Sequence, residues 1–209
     1  MKLLLDTDSV AEAEAFAAWG VLAGARTSRA GLIAAGAADP DREIVRLCDL
    51  LDATVTVLLD GDDADALTAQ GLALADLHEH AVAALPFGPA GLAAASALEE
   101  QELPVEITHV FSAAQALLAA EAGAALVSTS LTRLEQAAID AGETLQALIE
   151  SLHSGETTAQ VLAGGIGSPQ QVVLAARLGA ENAAVPADVL HQMTVHPLTV
   201  AARDDGSAR

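Results

Sequence analysis

An α/β fold with eight parallel strands closed into one barrel is what this chain predicts, and three observations carry it. Short apolar runs alternate with longer helical patterns from end to end, eight times within 209 residues. Strands joined so regularly by helices imply parallel pairing through right-handed crossovers, and roughly 200–250 residues is the ordinary size of such a barrel. No G-x-G-x-x-G follows a strand and no Walker loop occurs, which disfavours a dinucleotide-binding sheet. The prediction is a single-domain (β/α)8, or TIM, barrel over residues 1–200, with the polar residues 201–209 as a flexible tail.

Each unit has its own signals. Leu3-Leu4-Leu5 reads as the first strand, followed by a helix over 8–19 with Ser9 as a candidate N-cap. The second strand is placed at 21–27. Its helix covers 41–51, where Asp39-Pro40 is a start signal and Ile44, Leu47, Cys48 and Leu51 share a face. A β-branched run over 53–59 precedes a helix at 63–78. The run 81–85 stops at Pro86 before a helix at 89–101. Residues 104–111 and 124–128 supply strands five and six, with one helix at 112–122 and more than one covering roughly 131–153. Strand seven, 160–163, ends in Gly164-Gly165, and a helix at 169–178 ends at Gly179. Strand eight, 182–185, leads to a last helical piece at 187–193.

Composition narrows the function. The hydrophobic fraction of 52% supports a large core and argues against disorder. With 29 acidic and 9 basic residues the net charge is −20, a field that repels phosphate backbones and makes nucleic acid a poor partner. Cys48 is the single cysteine, so there is no disulfide and no zinc knuckle, and it reads as a small core residue. The apolar start is too short for a signal peptide and no apolar run reaches a membrane span, so the expectation is a cytoplasmic protein without membrane contact. His78 and His80 bracket Glu79 without a third ligand, so no metal is expected. No cofactor is expected either.

In a barrel of this kind, chemistry sits at the C-terminal strand ends. Asp6 ends strand one, either as a helix N-cap or as an acid–base group at the mouth. On strand five, period two puts Glu106 and Thr108 on one face, with Ile107 and His109 on the other. A carboxylate and a hydroxyl aimed into a barrel are costly unless paired or used, whereas His109 is expected against the helix layer. Arg26 and Arg29 flank the end of strand two with Thr27 and Ser28 between them, and Arg133 follows strand six. Guanidinium forks suit carboxylates and phosphates, so these residues could hold an anionic small molecule or form ordinary salt bridges.

Taken together, these strand ends resemble the small transaldolases and fructose-6-phosphate aldolases. The likeness runs from MKLLLDTDSV through PFGPAGLAAASAL and THVFSAAQALLAAEAGAALVS to QVLAGGIGSPQQVV and AAVPADVLHQMTVHPLT. It implies that Asp6 stands at the family's proton-handling aspartate, Thr108 at its strand-five threonine and Arg133 at a phosphate-binding arginine. It also implies a homo-oligomer, although the tail lacks the aromatic C-terminal helix that braces the family's rings. The same likeness exposes departures. The family's Schiff-base lysine ends strand four, where this chain reads Val82-Ala83-Ala84-Leu85-Pro86, so Ala84 takes the nucleophile's place. The only lysine is Lys2. The family's Asn-Pro after strand two becomes Ser28-Arg29, its strand-three acid or amide falls on Leu58, and its strand-five asparagine becomes Glu106. The strand-seven serine and basic residue become Gly165 and Gly167.

The expectation is therefore a barrel with a rebuilt pocket. It would act on a small anionic carbonyl or sugar-phosphate-like compound by acid–base lyase, isomerase or cyclase chemistry, of a kind that suits secondary metabolism. Asp6 and Glu106 would be the acid–base pair, and Thr108 would hold a water or carbonyl oxygen. Arg26, Thr27, Ser28, Arg29, Arg133 and Gly165 would bind the substrate. The competing reading is a non-catalytic binding or scaffolding protein, which accounts for the lost lysine but gives no reason for Asp6, Thr108 and Arg133.

Overall fold

The computed structural model describes residues 1–155 and 157–204. Its elements run β1 (Lys2–Asp6), α1 (Val10–Ala17), β2 (Leu22–Ser28), α2 (Arg29–Ala34), α3 (Pro40–Leu51), β3 (Val55–Leu58) and α4 (Ala64–Leu77). They continue with β4 (Ala81–Pro86), α5 (Pro89–Glu99), β5 (Val105–Thr108), α6 (Ala113–Glu121), β6 (Leu126–Ser130), α7 (Leu131–Gln136) and α8 (Ala141–His153). The last are β7 (Gln160–Gly164), α9 (Pro169–Leu178), β8 (Asn182–Pro186), α10 (Ala187–Met193) and α11 (Pro197–Asp204). The strands close in sequence order into an eight-stranded parallel barrel, with β1 pairing both β2 and β8.

Serine and aspartate side chains set most helix starts, as their oxygens take up the free N–H groups of a first turn. Ser9, Ser28, Asp39, Asp63, Ser112, Ser130, Asp140 and Ser168 each accept such a bond. Period-two alternation then divides each strand between two cores. Leu5, Val57, Leu85, Ile107 and Val185 face the helices and belong to the large outer cluster. Leu4, Leu162 and Ala184, with Leu126 against them, form a small cluster inside the barrel. Lys2 lies at the N-terminal end of β1, paired with Asn182, so the chain's one lysine sits at the face opposite the C-terminal strand ends.

Several expected boundaries move. The residues after β2 were not expected to be helical, yet Ser28 caps a short α2 there. The helices expected over 131–153 are α7 and α8, parted where Ala138 adopts a positive φ of 57°. β6 starts and ends two residues later than expected, so Ser128 lies mid-strand instead of at its end. β5 stops at Thr108, short of 111, as His109 takes a left-handed conformation with φ 62° that no strand accepts. At the C-terminus, part of the expected tail is helix α11, and residues 205–209 lie outside the described residues. Among the described residues, no helix is long and apolar enough to cross a membrane.

The β1–β2 pairing shifts register between Leu3 and Leu5, and Gly24 sits at that irregularity. A Cβ on Gly24 would lie 2.3 Å from the carbonyl oxygen of Thr54 on the neighbouring chain segment, so only glycine lets the backbones approach. Gly24→Ala should therefore cost about 1–3 kcal/mol, as overpacked core sites do, read as a lower urea midpoint with an unchanged slope.

Candidate functional site

The interior face of the upper barrel carries charge. Asp6 on β1, Arg26 on β2, Ala84 on β4, Glu106 on β5, Ser128 on β6 and Gly164 on β7 all alternate with residues of the outer core and so point inward. Arg26 leaves β2 and crosses the barrel, bringing Nη2 to 3.0 Å from Glu106 Oε1. Ser128 Oγ donates to the same carboxylate oxygen at 2.6 Å. Glu106 is fully enclosed and Arg26 nearly so. The guanidinium also lies over β7, where a Cβ on Gly164 would come within 2.7 Å of Nη1. Gly164 is thus the opening through which this arginine fits.

Two polar atoms of the pair, Arg26 Nε and Glu106 Oε2, are buried without a hydrogen-bond partner. Leaving a buried polar atom unpaired costs on the order of 1–3 kcal/mol, so the cluster is maintained against its own desolvation. In the β4–β5 register Ala84 lies directly beside Glu106. The small Ala84 side chain leaves this stretch of the interior to the β2 arginine.

Asp6 stands at the edge of the cluster and is half-buried. It caps no helix, since Ser9 caps α1. Burial pushes its pKa above the ordinary value; Arg26 opposes that shift, while the negative charges of Asp8 and Glu106 add to it. Asp6 therefore holds its proton to higher pH than a free aspartate.

The other residues named from the sequence are placed variously. Thr108 is buried, and its hydroxyl donates to the Leu85 carbonyl at 3.2 Å while standing 3.3 Å from His109 Nδ1. Thr27 donates to Asp8 Oδ1, and Ser28 spends its backbone N–H on the same oxygen and its hydroxyl on capping α2. Arg29 is turned to α3, where Nε pairs with Asp41 at 2.6 Å. These three residues serve the β2–α2 corner instead of the barrel interior. Arg133 is exposed beyond β6, and no ion pair engages it among the described residues. Gly165, with φ 55°, offers its carbonyl to the Thr132 amide at 2.9 Å and to the Thr132 hydroxyl. Its role is to close the β7 loop against α7.

His109 was expected against the helix layer, and this is corrected. Its left-handed backbone breaks the alternation, leaving the ring exposed at the mouth. Burial lowers its pKa first, then the charges of Arg133 and Arg26, against Asp60 and Glu106. Ser128 was also missed as a site residue: it closes the expected strand at 128, but nothing local shows that its hydroxyl reaches Glu106 on β5. Cys48 is buried in α3, its thiol pushed up to about 11 by burial and by Asp49. Among the described residues, no group of three or more His, Cys, Asp or Glu is arranged to hold a metal ion.

Comparison with known proteins gives concordant results. A family model described as Transaldolase/Fructose-6-phosphate aldolase matches residues 41–208. A probable transaldolase of Thermus thermophilus is 36% identical over 207 residues, covering 95% of this chain and 93% of that protein. A probable transaldolase of Desulforudis audaxviator is 38% identical over 199 residues, covering 95% and 92%. Among solved structures, a mandelate oxidase variant with a monooxide FMN adduct superposes with a TM-score of 0.63 at 15% identity, over 89% of this chain and 64% of that one. That likeness speaks for the barrel alone.

Two outcomes follow from the cluster's electrostatics. Glu106→Leu strands a buried guanidinium and should cost about 3–5 kcal/mol in urea unfolding, most of it recovered by adding Arg26→Met. For Asp6, the folded chain binds the proton more tightly than the unfolded chain does. Wild-type stability therefore declines as pH climbs above the ordinary value of 3.8 toward the raised one. Asp6→Asn should be more stable than wild type at pH 7, with the gain vanishing as pH falls to that lower value in denaturation measured across pH.

Proposed function

The chain belongs to the transaldolase/fructose-6-phosphate aldolase family, and from that premise we propose that it acts on a small anionic carbonyl or sugar-phosphate-like compound by acid–base chemistry without a Schiff base. The observation that carries this reading is the inward cluster of Asp6, Arg26 and Glu106 beside Ala84, with the only lysine at the far face. A guanidinium stays protonated and cannot form a carbonyl adduct. It can instead hold a carbonyl oxygen as negative charge develops there, which is worth several kcal/mol where water is excluded.

The geometry divides the two carboxylates. Asp6, half-buried at the mouth and keeping its proton to higher pH than a free aspartate, is the acid. Glu106 is enclosed, with one oxygen spent on Arg26 and Ser128, so in this proposal it positions the arginine. Arg133, exposed at the rim, meets the anionic end of the substrate. Lyase, isomerase and cyclase steps on such a compound all need a proton delivered to an oxygen, and Asp6 supplies it. A second reading, a non-catalytic binding protein, is favoured by one observation: Arg26 fills the interior between β5 and β7.

Two measurements separate these. Borohydride added with fructose 6-phosphate should leave the intact mass unchanged, and a covalent adduct inside the barrel would refute the non-covalent reading. In deuterium oxide, proton NMR of a set of three- to six-carbon ketose phosphates should show enzyme-dependent exchange next to the carbonyl, lowered roughly 10²–10⁴-fold by Asp6→Asn. Exchange absent across the set, with the fold intact, favours the binding protein.

A further inference from the structure

We propose that His109 is the general base of this site, with Nδ1 held by Thr108 and Nε2 presented to the substrate across the mouth from Asp6. The inference rests on the functional reading above, which supplies an acid but leaves Glu106 enclosed and bonded.

The argument begins at one hydroxyl. Thr108 has a single hydroxyl proton, and a carbonyl oxygen can only accept, so the bond to Leu85 O spends that proton. The contact between Thr108 Oγ1 and His109 Nδ1 then requires the ring to donate. A neutral imidazole that carries its proton on Nδ1 has a free lone pair on Nε2. Thr108 thereby fixes the tautomer a base needs.

Backbone geometry points the same way. A non-glycine residue at φ 62° is uncommon. Such a conformation persists only where its surroundings enforce it, often at functional sites. Here it turns a side chain that alternation would send to the helices into the mouth. The groups that act on it come from several strand ends: Arg133 beyond β6, Arg26 from β2, Asp60 beyond β3 and Glu106 on β5. Partial burial first, and then the arginines, disfavour an imidazolium, so His109 stays neutral below its ordinary value of 6.5 and readily returns any proton it takes.

Strand order sets the pairing with Asp6. β1 and β5 are diametrically opposed in an eight-stranded barrel closed in sequence order, so the two groups flank whatever enters, with Arg26 across the interior between them. The step balances without another reactant. Nε2 takes the proton from the carbon next to the carbonyl, and the C–H electron pair becomes a C=C bond. The carbonyl π pair takes the proton of Asp6, leaving an enediol, an imidazolium and a carboxylate. Reprotonation at either carbon reverses both transfers.

Three readouts test it. Nitrogen-15 NMR of wild-type protein should find the His109 proton on Nδ1, and Thr108→Val should shift it toward Nε2 while Thr108→Ser keeps it. With dihydroxyacetone phosphate in deuterium oxide, His109→Gln should lose exchange by about 10²-fold or more without lowering the melting temperature. On the acid side, the wild-type exchange rate should hold down to pH 6.5 and fall only below it. Exchange that survives His109→Gln, or a wild-type proton on Nε2, overturns this proposal and leaves the functional reading standing. Failure of the wild type itself to exchange any ketose phosphate of the set above, dihydroxyacetone phosphate included, overturns both.

Discussion

One buried arginine organises the upper half of this barrel. Taking a guanidinium out of water costs several kcal/mol even after relaxation, and Arg26 meets that cost through Glu106 across the interior. Every neighbour reflects the arrangement. Ser128 donates a second bond to the same carboxylate oxygen, Gly164 keeps β7 clear of the guanidinium, and Ala84 adds no bulk beside Glu106. Asp6 then sits where its own desolvation, helped by two anions, outweighs one cation, and its raised pKa is the result. Remove the arginine and the other features lose their reason.

On the reading proposed above, that dependence explains why the departures implied by the resemblance fall together. The resemblance places a lysine at Ala84 and an asparagine at Glu106. On that resemblance, a cation from β2 stands in for one on β4 and needs a nearby anion, and the carboxylate stands on β5 next to Ala84. Lysine and arginine are not equivalent here. An amine with a depressed pKa can attack a carbonyl, while a guanidinium can only hold and polarise one. On the reading proposed above, the barrel keeps a positive centre for an oxygen and gives up covalent capture.

Much of this was legible in the sequence, for a definable reason. Barrel, strand order and the inward faces of Asp6, Glu106 and Thr108 follow from short-range periodicity, which a sequence records directly. The rest depends on long-range or backbone facts. Arg26 looked like a rim residue because nothing local shows that a long side chain crosses to β5. Thr27, Ser28 and Arg29 looked free because their partners, Asp8 and Asp41, lie elsewhere in the chain. His109 was assigned to the wrong layer because period two assumes an extended backbone, and a single left-handed residue cancels it. Ser128 went unassigned because its partner, Glu106, stands on the neighbouring strand β5.

The chain's net charge gives the mouth a particular character. At −20 the protein repels anions at long range, yet Arg26, His109 and Arg133 concentrate basic groups around the strand ends. These two effects act over different distances. Salt at physiological strength screens exposed charges beyond about 8 Å, so the overall field weakens with distance while the enclosed Arg26 is hardly screened. Affinity for an anion is then a property of the mouth alone, and the acidic exterior mainly slows encounter. This division also bears on His109: the cations that would greet an anionic substrate are those that keep the ring neutral. Substrate charge, once bound, offsets part of that effect and makes the imidazolium easier to form. The base would be strengthened by the ligand it acts upon.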